Sequence, residues 1–412
     1  MFEVTYTEEQ LKKCGLNFLR NYAREIGGTP GLMNKADLVA YILDIQSGKI
    51  SPERKKSGRK PLDLKGVNYG MLGLANIGFE DEDVFSDSYG SECITKGYFE
   101  TLSEGVGTLT NGETVLVFVP AAFITQYRLK NCDLVVGEWE RGRNDSRVLT
   151  SVKEINGKIP TEVFSRGNFE KVPAVYPESR ISFSGIGGLG NEIDLFAPIG
   201  RGQRCVVLYK KGSDEISLIE KIAAVCDDSG IYPIISYVNC RPEDGQYLQS
   251  ACKEVIWTSF DKSGETHKKA MQIVADRAKR MAESGNHTAL IAGSLSSSQD
   301  AFGGDFLKYM KQLFSISKNT ADSKSVTLFA LTDDENVAKQ FEPYCNCFIV
   351  TDGKSMDIER SYTRRDVALL SERELLVAEK VRSAPTLLPQ VKSAMGKAKG
   401  KEELLSALEK LF

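Results

Sequence analysis

The chain lacks the features that would place it in a membrane or give it a disulfide frame. No stretch of about 18 apolar residues interrupts its 412 positions, which excludes a spanning helix. Met1-Phe2-Glu3-Val4 opens without the basic and then apolar order of an export signal, so the expectation is a cytoplasmic protein with no membrane partner. Basic excess is missing too: Lys and Arg total 53 against 56 for Asp and Glu, a net charge of −3. A broad basic surface that coats nucleic acid is thereby excluded, and any such contact must be local. The nine cysteines (Cys14, Cys93, Cys132, Cys205, Cys226, Cys240, Cys252, Cys345 and Cys347) are odd in number and form no C-x-x-C pair. They read as reduced, packed thiols, and no metal site is expected.

What is present is an ordinary globular composition, 41% hydrophobic and 26% charged, in a chain too long for one core. Residues 1–47 read as a small helical module. Thr7-Glu8-Glu9-Gln10 has capping-box spacing before Leu11, Leu19, Tyr22 and Ile26, and a second helix from about Asn34 carries Leu38, Val39, Ile42 and Leu43. Residues 48–96 are irregular and read as a linker. Its basic run Arg54, Lys55, Lys56, Arg59 and Lys60 precedes the acidic run Glu80-Asp81-Glu82-Asp83; the basic part suits either phosphate contact or simple solvation. Residues 97–156 alternate short β-rich runs with turn signals, the pattern of a small barrel of the oligonucleotide-binding or cold-shock type. After a connector at 157–192, residues 193–412 alternate apolar strands with amphipathic helices, which predicts a mostly parallel sheet. The glycine run from Gly185 to Gly190 looks phosphate-like, but no strong helix is predicted after it, and it reads as a flexible connection. The fold class is multidomain α+β.

From Asp194 the chain runs Asp194-Leu195-Phe196-Ala197-Pro198-Ile199-Gly200-Arg201-Gly202-Gln203-Arg204. This resembles the D-L-x-x-P-I-G-R-G-Q-R segment of the bacterial transcription termination factor Rho family. Arg241-Pro242-Glu243, Ser259-Phe260-Asp261 with His267, Arg277-Ala278-Lys279-Arg280 and Ser361-Tyr362-Thr363-Arg364 follow in the family's order. The resemblance covers nearly the whole chain and implies a RecA-like α/β domain after the helical module and barrel.

That family binds ATP with a P-loop, whose last glycine wraps phosphate, whose lysine neutralises it and whose hydroxyl holds magnesium. Counting on from Gly200 without a gap sets the loop on Tyr209–Ile216, through Gly212 and Ser213, so that Asp214, Glu215 and Ile216 replace glycine, lysine and hydroxyl. A lysine-to-glutamate change reverses an interaction of about 4 kcal/mol at 4 Å in an effective dielectric near 20. Asp214 and Glu215 are instead expected to satisfy the helix N-terminus with their own carboxylates. By the same resemblance, Asn239 and Cys240 replace the Asp-Glu that orients attacking water, and Gly293 replaces the magnesium-holding aspartate. No catalytic residue and no cofactor are expected. The barrel's two stacking rings are also lost, at Val106 and Thr108, while Phe118 remains a candidate base-stacking residue; Tyr98, Phe99 and Trp139 read first as core. Arg360 and Arg364 fall where the family sends arginines to a neighbouring subunit. These readings point to a non-hydrolysing Rho-like protein that acts by binding Rho, RNA polymerase, or RNA or DNA through its N-terminal half, alone or in a homo- or hetero-oligomer. The alternatives are an ATP-dependent RNA translocase with a rebuilt site, using ATP and magnesium, and an oligomeric scaffold outside transcription.

Overall fold

The fold was analysed in a computed structural model, which describes residues 6–26, 28, 30–31, 33–49, 94–102, 105–110, 115–142, 146–163, 166–322, 324–398 and 400–412. Arg54, Lys55, Lys56, Arg59 and Lys60 lie outside the described residues. The described residues form two compact units, those up to 167 and those from 168 on.

In the first unit, helix α1 (Glu8–Lys13) starts on a reciprocal capping box between Thr7 and Gln10. Helix α2 (Leu16–Glu25) follows, then α3 (Lys35–Gln46), capped by the Asn34 side chain on Asp37 N–H. Strands β1 (Ile94–Thr101), β2 (Gly107–Thr110) and β3 (Val115–Val119), helix α4 (Ala121–Tyr127), then β4 (Leu134–Arg141) and β5 (Arg147–Ile155) complete the unit. The strands close a barrel in the order β1-β2-β3-β5-β4. Along β4, buried Val135, Gly137 and Trp139 alternate with less buried neighbours, the two-residue period of a strand with one face inward. Gly107 is required where it stands, because a Cβ there would lie 2.1 Å from the Phe99 ring. Leu11, Phe18, Leu19, Leu38 and Ile42 of the helices share one core with Phe99, Leu109, Val117 and Val135 of the barrel. The helical segment and the barrel are thus packed as one body.

The second unit contains α5 (Gly188–Phe196), β6 (Arg204–Tyr209), α6 (Glu215–Asp228), β7 (Ile231–Cys240), α7 (Pro242–Ala251), β8 (Val255–Ser259) and α8 (Gly264–Glu283). It continues with β9 (His287–Gly293), α9 (Leu295–Phe302), α10 (Phe306–Ile316), β10 (Ser325–Thr332), α11 (Glu335–Phe341), β11 (Cys347–Thr351) and β12 (Tyr362–Thr363). Helices α12 (Glu372–Ser383), α13 (Leu388–Lys397) and α14 (Lys401–Glu409) end it. The main sheet runs β8-β7-β9-β10-β6-β11-β12. Along this order every pair is parallel except β11 with β12, and the short segments Asn319–Thr320 and Ala174–Val175 add antiparallel pairs beside β10. All eight residues of β10 are buried, as expected of a strand covered on both faces.

The Gly185–Gly190 run is not the flexible connection read from its glycines. Gly188 begins α5, and a Cβ on Gly190 would lie 1.8 Å from the Phe183 carbonyl oxygen, so close backbone approach dictates that glycine. Gly188 also lies against Gly396 of α13, and Asn191 Nδ2 donates to the Met395 carbonyl at 3.0 Å. Packing explains Gly190, while Gly187 supplies a left-handed backbone at φ 76°.

Candidate functional site

In a parallel sheet, ligands bind beyond the carboxyl ends of the strands, where the chain order reverses. Here β6 lies between β10 and β11, and its carboxyl end leads through Lys210–Asp214 into α6. The connection is a closed turn. Ser213 N–H donates to the Lys210 carbonyl at 2.9 Å, and Gly212, at φ +85°, supplies the left-handed backbone of a type II turn. Lys210 N–H donates to the Thr351 carbonyl at 2.9 Å and Ser213 Oγ to that of Asp352 at 3.0 Å, which ties the turn to β11. Asp214 caps α6 by accepting from Ser217 N–H at 3.0 Å. A phosphate-binding loop keeps its amides open toward the ligand; here Ser213 N–H is spent inside the turn, and the helix N-terminus has a carboxylate of its own.

Glu215, at the position of the family's lysine, turns its side chain inward over the sheet edge. Its Oε1 accepts from Ser294 N–H at 2.5 Å and its Oε2 from the Tyr237 hydroxyl at 3.2 Å. The Tyr209 hydroxyl lies beside it, with its pKa raised by burial and by that carboxylate. Burial pushes the Glu215 carboxyl up to about 7, against the pull of these donors and with a push from nearby Asp333. Ser294 holds its place in the left-handed region at φ 48°, and its Oγ donates to Ser297 Oγ at 2.5 Å. Ser296 Oγ donates to Asp333 at 2.6 Å. Ile216 is half-buried against the core.

Gly293 ends β9 under the Tyr237 ring, and a Cβ there would lie 2.6 Å from Tyr237 Cδ2 and 2.8 Å from Ile219 Cδ1. A magnesium-holding carboxylate has no room at this position. Asn239, at φ 59°, donates through Nδ2 to the Ser297 carbonyl at 2.7 Å and through N–H to Thr258 Oγ1 at 3.2 Å. Cys240 is buried, and burial with nearby Asp244 pushes its thiol up to about 12. Neither side chain is a base for water. The residues present do not fit a magnesium nucleotide: the turn is closed, glutamate replaces lysine, and an aromatic ring fills the metal side.

Among the expected positions, the fold brings Asp214, Glu215, Asn239 and Gly293 to one edge of the sheet. Sequence reasoning missed Tyr209, Tyr237 and Ser294, which complete the cluster. The legible signal was a tyrosine near the carboxyl end of two apolar strands in succession. Arg360 and Arg364 are not brought together. Arg360 pairs with Glu335 at 3.0 Å, whereas Arg364 is exposed beside Asn346 near the amino end of β11.

In the barrel, Phe118, the candidate for base stacking, is buried at 6% exposure. Tyr98, Phe99 and Trp139 are buried as well. Beside the barrel, Arg166 clamps Asp133 through two hydrogen bonds at 2.5 and 2.6 Å, and Asn156 Nδ2 donates to the same carboxylate at 2.8 Å. This buried cation serves structure.

These units define a protein of mixed α and β structure, with a five-stranded barrel followed by a parallel sheet that carries a strand–turn–helix edge. No family model matches the chain. It is 25% identical over 362 residues to transcription termination factor Rho of Borreliella burgdorferi, covering 77% of this chain and 69% of that one. With Rho 1 of Ehrlichia chaffeensis it shares 27% identity over 390 residues, 84% of this chain and 92% of the relative. Rho of Cereibacter sphaeroides is 26% identical over 332 residues, 69% and 79% of the two chains. The chain is a Rho-like protein, related to the transcription termination factors over most of its length. Among solved structures, a prototypical ATPase from the type III secretion system of pathogenic bacteria aligns with a TM-score of 0.47 at 12% identity, over 60% of this chain and 90% of that one. Among the described residues, no helix is long and apolar enough to cross a membrane.

Proposed function

We propose that this Rho-like protein works in transcription termination by binding, as a RecA-like pseudo-ATPase, and not by hydrolysing ATP. The observation that carries this reading is the Glu215 carboxylate, held by Ser294 N–H and Tyr237 at the helix start where the family's lysine meets phosphate. An incoming triphosphate would meet the Asp214 carboxylate and a closed turn, with no ammonium at position 215 to receive it. Loss of the carboxylate positions at Asn239, Cys240 and Gly293 supports the same conclusion, since each would lower hydrolysis by itself.

Its partners on this reading are Rho itself, RNA polymerase, or nucleic acid reached through the N-terminal half. As a subunit of a Rho ring it would contribute a silent nucleotide site and tune the activity of its neighbours. Exposed Arg364 is a candidate contact with such a neighbour. The deciding experiment is calorimetry with ATP and magnesium. The expected outcome is no binding at millimolar nucleotide and no RNA-stimulated phosphate release. Submicromolar ATP affinity that is lost on Lys211→Ala would overturn the reading in favour of a rebuilt ATPase. Purification of the tagged protein from its host then asks whether Rho accompanies it.

A further inference from the structure

At the opposite, amino-terminal edge of the same sheet lies a cavity of about 260 Å³ bounded by Tyr176, Gly202, Arg204, Lys318, Asn319 and Asn346, among others. Two cations line it, and no acidic residue does, although the protein as a whole is net negative at −3. Arg204 opens β6 and is half-buried, and its Nε is sealed from solvent without a hydrogen-bond partner. Burial, with repulsion from the Arg364 guanidinium, draws the Arg204 pKa below its ordinary value. Lys318 is held in place by donating to the carbonyls of Glu170 and Val172, at 3.3 and 2.7 Å, so its charge is not neutralised by these contacts. At the mouth stands Tyr176, 63% exposed, with the Arg365 guanidinium stacked on its ring at 3.8 Å. Nearby acids are engaged elsewhere: Glu342 accepts from the Tyr362 hydroxyl at 3.0 Å, and Asp322 pairs with Lys324 at 3.1 Å.

A half-buried guanidinium with one nitrogen left without an acceptor is costly, and an anion in the cavity offsets that cost through the charge it balances. The planar arginine fork matches two oxygens of one phosphate. Arg204 and Lys318 together supply two positive charges, which a phosphate dianion balances and a carboxylate monoanion does not. The volume admits a phosphate with a small attached group, for which the Tyr176 ring offers a flat apolar face.

We propose that this cavity is a phosphate-binding site, separate from the worn nucleotide edge, that takes free phosphate or the phosphate of a small phosphorylated molecule. The test is calorimetry on the full-length protein with inorganic phosphate and, separately, with AMP, using wild type, Arg204→Gln, Asn319→Asp and Lys211→Ala. At least one titrant is expected to bind the wild type, at least tenfold more weakly to both cavity variants and equally well to Lys211→Ala. Binding of phosphate alone identifies the free ion as ligand; much tighter binding of AMP identifies a phosphorylated molecule. Thermal melts check that the variants fold, and if Arg204→Gln does not, the nearly isosteric Asn319→Asp decides alone. The proposal fails if neither titrant binds the wild type at millimolar concentration. It also fails if the cavity variants bind as well as wild type, or if Lys211→Ala alone weakens binding.

Discussion

Glu215 concentrates the chemistry of the sheet edge in one proton. A free glutamate titrates near about 4.3, whereas burial pushes this one up to about 7. The folded state therefore holds the proton more tightly than the unfolded chain. The stability this contributes is complete below the unfolded value and is lost as pH rises through 7. Glu215→Gln keeps an oxygen for Ser294 N–H and cannot ionise. Its melting temperature relative to wild type is expected to be more favourable at pH 8 than at pH 5, and an equal difference at both pH values would refute the assignment. Position 215 was legible in the sequence as a charge reversal, but its partners were not. Tyr237 and Ser294 lie 22 and 79 residues away, and only the order of strands brings them to the same carboxylate. Phe118 shows the opposite difficulty: an aromatic residue on a barrel strand carries no sequence signal of its burial, which the fold alone gives.

Among the elements, starts and caps were the most legible features because they depend on local chemistry. Thr7, Asn34 and Asp214 each cap the helix that follows. Strand β2 carries a weak sequence signal because Gly105 and Gly107 give its approach the look of a turn, and α5 was hidden because glycine fills its first turn. Neither signal is local, since both glycines that matter answer a neighbouring group, the Phe99 ring for Gly107 and the Phe183 carbonyl for Gly190. The Arg277-Ala278-Lys279-Arg280 run likewise carries an invisible tertiary tie. Arg277 on α8, 1% exposed, binds Glu254 ahead of β8 at 2.7 Å, and the Tyr232 hydroxyl donates to the same carboxylate at 2.8 Å. Arg277→Ala strands that carboxylate in the interior and is expected to cost about 3–5 kcal/mol by chemical denaturation. Removing both charges together, as Arg277→Met with Glu254→Leu, is expected to recover most of the loss.

Each compact unit has apolar core of its own, with Leu19 in that of the first and Ile291 in that of the second. Calorimetry is expected to show two unfolding transitions. Leu19→Ala should lower only one and Ile291→Ala only the other, each by about 2–5 kcal/mol; a common shift in both variants would mean that the units melt together. The Tyr237 ring over Gly293 limits what this position can become. Aspartate introduced at 293 alone would strike the ring, and overpacking of this kind costs about 1–3 kcal/mol. Gly293→Asp is therefore expected to lower the melting temperature, and Tyr237→Val in the same chain to recover part of it. A carboxylate at 293 thus has to be preceded by a change at 237, so the order of substitutions is constrained by packing, and the Tyr237 ring acts as a lock on this edge of the sheet.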